Sequence, residues 1–390
     1  MKILAFNEAF WPSHGGVETF LEELYQYLHS QGHEVQIACR TPHKGKNPYP
    51  FKVNWEPDRA TLDRLVDWCD VLHINAMHVG LLMRARRRGK KVIATYHDVT
   101  MICPKGTKMR TDGPCMKRQS PLMCFNCLRS HNEPKVLQRL LRPAIKSMLS
   151  GLMHANVVSS PWMLKRYRLM RKVLIPLGVR VSQFVPRDAV GLPESASDPD
   201  GLVRVLYVGR VVPEKGTQLL IEALARCRDM GKPFRLIVCG DGSYMPQLKA
   251  LIEEKQVEGL VDLRGVVRGA ALSDVIRGCD LSVVPSLWVE CFGISAIEQM
   301  ASGLPVIASK TGGLGGIVEG VGLVFERGDV DGLVGHLITL RDNPELRQRM
   351  GREARAEAEN KYRLQRMNES YESLLLKLVG QAKPAGSVHA

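Results

Sequence analysis

The sequence has few aromatic residues and no long apolar run. Phe, Trp and Tyr make up 6% of the 390 residues, and no apolar stretch reaches the roughly 20 residues that a membrane-spanning helix needs. Residues 1–6 lead directly into a strand pattern and not into a signal peptide. These absences argue against an integral membrane protein and a secreted one, so we expect a cytoplasmic protein.

Acidic residues are almost missing from residues 80–172. This stretch has 21 Lys or Arg and 3 Asp or Glu, a net +18 within a chain whose total is +14, so the remainder carries −4. The densest runs are 84–91 and 165–172, and Leu, Met and Tyr are interspersed, with Trp162 nearby. Such a surface favours peripheral contact with anionic lipid on the inner face of the plasma membrane. No helix-turn-helix or single-strand-binding motif is present, and we expect no nucleic acid.

Short apolar strands alternate with helical patterns in two series. At 390 residues, with 45% hydrophobic and 24% charged, the chain is long enough for two cores. Helical patterns include 17–30 and 217–226. The predicted strands are 2–6, 35–38, 71–74 and 92–95, then 204–208, 235–239, 261–263, 281–284, 306–308 and 323–325. The alternation predicts an α/β protein with two Rossmann-like parallel sheets, joined through residues 186–201, which are rich in Pro, Gly, Asp and Ser.

Two such units raise the alternative of a nicotinamide or flavin enzyme. The segment after the first strand lacks the G-x-G-x-x-G spacing and the later ribose-binding acid. Gly15 and Gly16 still let a ligand approach the backbone closely, although a simple turn explains them equally well.

Two carboxylates, Glu290 and Glu298, follow the predicted strand 281–284. Glu290 falls in the strand-to-helix loop and Glu298 inside the helix, at the sheet edge where open α/β sheets bind ligands. Amides of residues 292–295 at the helix start favour phosphate. A sugar joined to a diphosphate fits both halves of this site.

A basic loop follows the strand 204–208. Gly209 and Gly216 give the loop room, while Arg210 and Lys215 supply a guanidinium fork and a mobile point charge for a diphosphate.

Together these segments resemble the retaining glycosyltransferases of family 4, which have the two-domain GT-B fold. The likeness covers nearly all of 201–335, in the family's order. The matching residues are Gly209-Arg210, 213–216, 238–242, 264–266, 280–286, Glu290-x-Phe292-Gly293, Glu298, 301–309, Gly312-Gly313 and 322–325.

The first half shows a thinner likeness. It consists of Gly15-Gly16-x-Glu18, Tyr96-His97-Asp98 and residues 175–179, where Leu177 and Arg180 replace the family's usual polar pair.

The resemblance implies a domain plan. Residues 1–182 form an acceptor-binding Rossmann-like domain with a Cys-rich insertion at about 101–130, and 183–201 form a linker. Residues 202–360 form a nucleotide-sugar-binding Rossmann-like domain whose sheet faces the first across a cleft. Residues 361–380 form a helix that crosses back to the first domain, and 381–390 form a disordered tail.

The resemblance also assigns site residues. Arg210 and Lys215 hold the donor diphosphate and, with Glu290 and His97, form the catalytic set. Glu298 accepts hydrogen bonds from the ribose, and Val266 lies beside the base. The donor-binding set is Gly15, Gly16, Gly209, Arg210, Lys215, Val266, Glu290, Phe292, Gly293, Ile294, Ser295 and Glu298.

Four cysteines, Cys103, Cys115, Cys124 and Cys127, crowd into one Pro- and Gly-rich loop with the spacing C-x11-C-x8-C-x2-C. In a cytosolic protein this spacing favours a structural zinc site, with an iron–sulfur cluster or free thiols as the alternatives. The Asp-x-Asp at Asp198 and Asp200 lies in the linker, where a solvated turn is expected. We expect no catalytic metal, since cations of the chain take its place.

The predicted function is therefore transfer of a sugar, with retention of configuration, from a nucleotide-diphosphate sugar to a saccharide or lipid-linked acceptor. Envelope polysaccharide, lipopolysaccharide or glycolipid synthesis are the expected contexts. A GT-B sugar phosphorylase or nucleotide-sugar epimerase is the alternative of the same fold. A basic zinc protein that binds nucleic acid is the alternative of another class, and it leaves the second half of the chain without a role.

Overall fold

Two compact units make up the chain. The computed structural model describes residues 1–12, 16–43, 45–107, 109–110, 113–115, 120–186 and 201–381. Unit 1 holds the described residues within 1–106, 119–177 and 364–390, and unit 2 holds those within 107–118 and 178–363.

The strands in chain order are β1 (Lys2–Asn7), β2 (Glu34–Cys39), β3 (Lys52–Trp55), β4 (Val71–Ile74), β5 (Lys91–Tyr96), β6 (Met109–Arg110), β7 (Gly113–Pro114), β8 (Ala155–Val158), β9 (Lys172–Leu174), β10 (Val203–Val208), β11 (Phe234–Cys239), β12 (Val261–Gly265), β13 (Leu281–Val284), β14 (Val306–Ser309) and β15 (Leu323–Phe325). The helices are α1 (Gly16–Ser30), α2 (Arg59–Trp68), α3 (Val79–Arg87), α4 (Pro121–Ser130), α5 (Val136–Leu149), α6 (Pro161–Arg166), α7 (Thr217–Asp229), α8 (Met245–Glu254), α9 (Gly269–Arg277), α10 (Ile294–Ala301), α11 (Leu314–Val318), α12 (Val330–Asp342), α13 (Pro344–Lys361) and α14 (Leu364–Val379).

In unit 1 the described residues form a seven-stranded parallel sheet. Its order is β3-β2-β1-β4-β5-β8-β9. The strands β4 and β8 are buried at every position, as expected where helices cover both faces of a parallel sheet. The strand order reverses direction between β1 and β4, so a crevice opens at the carboxyl ends of these strands.

In unit 2 the described residues form a six-stranded parallel sheet with the order β12-β11-β10-β13-β14-β15. Its switch point lies between β10 and β13. The loops that follow these two strands therefore meet at one edge of the sheet.

The sequence patterns predicted these elements well. All ten predicted strands lie within strands of the structure, and the helical patterns at 17–30 and 217–226 lie within α1 and α7. The α/β architecture with two parallel sheets is confirmed. The linker residues 187–200 and the tail residues 382–390 lie outside the described residues.

The sequence analysis did not predict β3, β6, β7, β8 and β9. Each has two to four residues, and β3 and β9 are only partly buried. Strands this short leave too few positions for an alternation of polar and apolar residues to stand out.

The chain's last described helix, α14, packs within unit 1. The Phe20 ring of α1 lies 5.5 Å from the Tyr371 ring of α14. The buried Glu372 carboxylate accepts a hydrogen bond from Tyr27 (3.1 Å) and lies 3.1 Å from His33 Nε2. Polar as well as apolar contacts thus hold the helix against α1. Among the described residues, no helix has the length and hydrophobicity to span a bilayer.

Candidate functional site

The centre of the candidate site in unit 2 is an ion pair between the loops after β10 and β13. Lys215 Nζ lies 2.6 Å from Glu290 Oε1, and Ser286 Oγ donates to the same oxygen at 2.8 Å. The two charged side chains are 21% and 13% exposed. Because little solvent reaches the pair, water screens the attraction between the two charges only weakly, and each side chain holds the other in position.

An indole borders this pair. Lys215 Nζ lies 5.4 Å from the centroid of the Trp288 ring, a distance at which the ring face attracts a cation. The Trp288 Nε1–H is buried and has no hydrogen-bond acceptor among the described residues. An acceptor atom of a bound ligand would satisfy this donor.

Backbone hydrogen bonds join the two loops. The amides of Leu287 and Trp288 both donate to the carbonyl of Glu214, at 2.8 and 3.0 Å. At the adjacent Gly216 (φ +77°), a Cβ atom would lie 2.0 Å from the carbonyl oxygen of Pro285. Only glycine fits this conformation and this contact, so the glycine sets how closely Lys215 approaches Glu290.

The segment after β14 fixes the backbone of Glu290. The amide of Gly313 donates to the Glu290 carbonyl at 2.7 Å, and a Cβ atom at Gly312 (φ +58°) would lie 1.9 Å from that oxygen. Thr311 Oγ1 donates to the Trp288 carbonyl at 2.8 Å. Three loops therefore hold this site in place.

The helix α10 begins directly after Glu290. Gly293 is its N-cap residue, and the carbonyl of Gly293 accepts from the amides of Ala296 and Ile297. The first amides of a helix have no partner within the helix, so those of Ile294 and Ser295 are oriented for an anion.

Glu298 lies one turn further along α10 and is half-buried. Desolvation raises the pKa of its carboxyl to about 7. Near neutral pH the group therefore exists as a mixture of acid and carboxylate, and hydroxyl donors from a ligand would favour the charged form.

Two further predicted residues are exposed at this edge of the sheet. Arg210 follows β10, and its carbonyl accepts a hydrogen bond from Tyr207 at 2.7 Å. Val266, directly after β12, is 61% exposed, so its backbone is open to a ligand.

Unit 1 has a cavity of 390 Å³ at the carboxyl ends of β1, β4 and β5. His97 and Gly16, both predicted site residues, line it, together with Asn75. Burial lowers the pKa of His97 to about 4, so the imidazole is neutral at pH 7. Its Nε2 lies 3.2 Å from Asn75 Oδ1, within hydrogen-bond distance. Gly15 lies outside the described residues.

Several residues that complete these two sites were missed by the sequence analysis. They are Ser286, Trp288 and Thr311 in unit 2 and Asn75, Arg142 and Lys146 in unit 1. The motif Pro285-Ser286 carried a signal for the first of them, because a hydroxyl directly after a strand is positioned to meet groups at the sheet edge.

The four clustered cysteines are all described. Cys103 and Cys115 are buried, and Cys124 and Cys127 lie one turn apart on α4. Within the described part of the chain, no group of three or more His, Cys, Asp or Glu side chains is close enough to hold a metal ion. The zinc site stays a prediction.

Two family models match the chain in sequence. Residues 14–183 match the model described as Glycosyltransferase Family 4, and residues 193–357 match Glycosyl transferases group 1. The chain belongs to glycosyltransferase family 4. The family predicted from the sequence motifs is thereby confirmed.

Relatives and solved structures agree with this membership. D-inositol 3-phosphate glycosyltransferase of Corynebacterium glutamicum is 37% identical over 158 residues, which are 38% of this chain and 38% of that protein. The match to such relatives thus spans about two fifths of their length. Alpha-monoglucosyldiacylglycerol synthase of Acholeplasma laidlawii is 24% identical over 89% of both chains.

The fold is GT-B. The structure of HepE from Anabaena in complex with UDP superposes with a TM-score of 0.73 at 18% identity, covering 97% of this chain and all of that one. The predicted fold class is confirmed by this similarity.

Proposed function

We propose that this family 4 member transfers a sugar from a nucleotide-diphosphate sugar to a saccharide or lipid-linked acceptor, with retention of configuration. The observation that carries the proposal is the Lys215–Glu290 pair beside the start of α10. A cation and a helix N-terminus suit the diphosphate, while a carboxylate with a free oxygen suits sugar hydroxyls. Synthesis of envelope polysaccharide, lipopolysaccharide or glycolipid is the proposed context.

The chemistry is stabilisation of a leaving group. As the bond between the sugar carbon and the diphosphate breaks, negative charge grows on the diphosphate. Lys215, Arg210 and the amides of Ile294 and Ser295 stabilise that charge in this proposal, which lowers the barrier.

Retention follows if the acceptor attacks from the face that the diphosphate leaves. The acceptor oxygen bonds to the sugar carbon, its proton moves to a diphosphate oxygen, and the nucleoside diphosphate departs. Lys215 and Ser286 already engage Glu290 Oε1. In this proposal Glu290 positions sugar hydroxyls and does not attack the sugar carbon.

The remaining assignments concern the donor base, the donor ribose and the acceptor. Val266 is exposed where a base would lie, and the Glu298 carboxylate accepts from the ribose. Residues 1–182 bind the acceptor, while His97 of the catalytic set and Gly16 of the donor-binding set line the unit 1 cavity. The Anabaena structure contains UDP and the Acholeplasma relative is named for glycolipid synthesis, and both are consistent with this division.

We also propose that α5 docks on an anionic membrane surface. Leu137, Leu141, Ile145 and Met148 are between 41% and 72% exposed, and their spacing places them along one side of the helix. The chain from 80 to 172 is strongly basic, so apolar insertion and charge attraction act together.

Donor binding is tested by thermal stabilisation with UDP, GDP and ADP, because a ligand that binds the native state raises its melting temperature. In a transfer assay with the preferred sugar donor, Lys215→Ala is expected to lower kcat by about 10²–10³ while the melting temperature stays near that of the parent. Lys232→Ala, an exposed lysine that pairs with Asp342, is the matched control. Full turnover by Lys215→Ala, or a product without release of nucleoside diphosphate, contradicts the proposal.

Membrane docking is tested by sedimentation with vesicles of phosphatidylglycerol and phosphatidylcholine. The double variant Leu141→Ser/Met148→Ser is expected to bind at least tenfold more weakly. Met230→Ser, at an exposed site of unit 2, is the control. Unchanged sedimentation of the double variant contradicts docking through α5.

A further inference from the structure

The helix α5 carries two cations that line the unit 1 cavity. Arg142 and Lys146 are one turn apart, and both belong to the lining that also includes His97 and Asp98. Lys146 is only 8% exposed. A cation at such a buried position requires a structural explanation, because leaving water is costly for a charged group.

Among the described residues, Lys146 donates to one neutral hydroxyl and forms no ion pair within 4 Å. Its Nζ donates to Thr100 Oγ1 at 2.5 Å, which uses one of three N–H donors. Burial and the proximity of Arg142 both lower the pKa of Lys146, with burial the larger cause, while Asp98 opposes them. Arg142 thus adds like charge where opposite charge is needed.

Three carboxylates, those of Glu8, Glu18 and Asp98, also line the cavity. Asp98 accepts from the amide and the hydroxyl of Thr100, and Glu8 lies 3.6 Å from Arg40. Glu18 lies in the first turn of α1. No carboxylate oxygen of the described residues lies within the 4 Å of an ion pair from Arg142 or Lys146.

We propose that Arg142 and Lys146 bind a phosphate group of the acceptor. This inference rests on the proposed function and names the acceptor's chemical class: a phosphomonoester attached to the moiety that is glycosylated. The guanidinium supplies a two-pronged contact and the ammonium a point charge to the phosphate oxygens. The phosphate belongs either to a soluble sugar phosphate or to a lipid headgroup, and the exposed apolar residues on the same helix bring α5 close to a lipid source.

The test compares glucose 6-phosphate with glucose by isothermal titration. The parent is expected to bind only the phosphate, and Arg142→Gln and Lys146→Met are expected to weaken binding about tenfold or more. Arg139→Gln is the control, because Arg139 lies on the same helix but pairs with Glu133 outside the cavity. The variant Lys215→Ala is expected to bind glucose 6-phosphate as the parent does, because Lys215 belongs to the proposed diphosphate site and not to this cavity.

A second arm identifies the source of the phosphate. Vesicles that contain phosphatidic acid are compared with vesicles that contain phosphatidylserine, whose charge is also negative, and displacement by glucose 6-phosphate is measured. If glucose 6-phosphate displaces the parent protein from phosphatidic acid vesicles and this effect requires Arg142, the phosphate is that of a lipid. If glucose 6-phosphate binds but does not compete with the vesicles, the phosphate is that of a soluble molecule. Should Lys146→Met fail to fold, Arg142→Gln carries the test alone.

The outcomes separate this inference from the proposed function. If UDP binds and sugar is transferred, but Arg142→Gln leaves glucose 6-phosphate binding unchanged, the phosphate site is wrong and the transferase stands. If no nucleotide binds while Arg142→Gln abolishes phosphate binding, the role of the phosphate as part of an acceptor is wrong. If Lys215→Ala alone removes the binding, the phosphate lies in unit 2 and the inference is overturned.

Discussion

The two units share one strand order around their switch points, yet they stabilise polar groups differently. In unit 2 the charged pair Lys215–Glu290 lies at the sheet edge, partly exposed and held by three loops. In unit 1 a series of uncharged side chains, joined by hydrogen bonds, lies in the core; we call it the neutral chain. Tyr25 OH lies 2.7 Å from His73 Nδ1, and His73 Nε2 lies 2.7 Å from Thr95 Oγ1.

That chain continues into the last helix. Thr95 Oγ1 lies 3.1 Å from Tyr371 OH of α14. Burial lowers the pKa of His73 to about 3, so the imidazole is neutral at pH 7. A neutral imidazole has one donor and one acceptor nitrogen, so His73 links Tyr25 to Thr95 by hydrogen bonds. The comparison teaches that sheets of the same topology place their polar residues differently: a charged pair at the sheet edge in unit 2, and buried neutral groups that dock a helix from the far end of the chain in unit 1.

The tight loop packing of unit 2 is the feature whose loss has the largest expected effect. Gly216→Ala combines a positive φ with a Cβ that would lie 2.0 Å from a carbonyl oxygen, and we expect a loss of about 3 kcal/mol or more in the free energy of unfolding. Gly231→Ala is the matched control, since its φ is +69° and nothing lies within 4 Å. We expect about 1 kcal/mol there. Equal losses in urea unfolding would show that packing against Pro285 does not hold the site.

Glu298 in unit 2 changes its charge near pH 7, whereas the neutral chain of unit 1 does not. Its pKa is about 7 in the folded protein, above that of an unfolded chain. The folded state therefore binds the proton more tightly, and the resulting stability is complete below pH 4.5 and is lost as the pH rises through 7.

Replacing Glu298 by glutamine, whose amide is neutral, removes this dependence of the stability on pH. The stability of Glu298→Gln relative to the parent should grow by about 1–2 kcal/mol between pH 5 and pH 8. Chemical unfolding at several pH values measures it, with Glu253→Gln at an exposed position of α8 as the control. A constant difference across this range would mean that the Glu298 carboxyl is well solvated.

Two tyrosine variants give the smallest effects and separate docking from binding. Tyr371→Phe removes the hydroxyl beside Thr95, and Tyr207→Phe removes the donor to the Arg210 carbonyl. Each is expected to cost about 1 kcal/mol of stability. Only Tyr207→Phe is expected to weaken UDP binding, because it frees the loop that carries Arg210. Weaker UDP binding by Tyr371→Phe would contradict the separation of roles.

The sequence predicted the strands and the candidate site of unit 2 because both depend on residues near one another in the chain. The loop with Lys215 directly follows β10, and Glu290 and Glu298 lie just before and within α10. Arg142 and Lys146 were not predicted as site residues. They belong to a basic helix that lies far in sequence from β1, β4 and β5, so no local pattern reveals that they line the same cavity.

The sequence by itself determined which segments form strands and helices and which loops carry glycines, cations and carboxylates at strand ends. These follow from apolar periodicity and backbone freedom, which are local properties. Only the tertiary structure decided that Lys215 pairs with Glu290, 75 positions away, and that Tyr27 reaches Glu372, 345 positions away. Such pairs depend on strand order and on helix docking, which bring distant residues together and exclude the water that would otherwise solvate them.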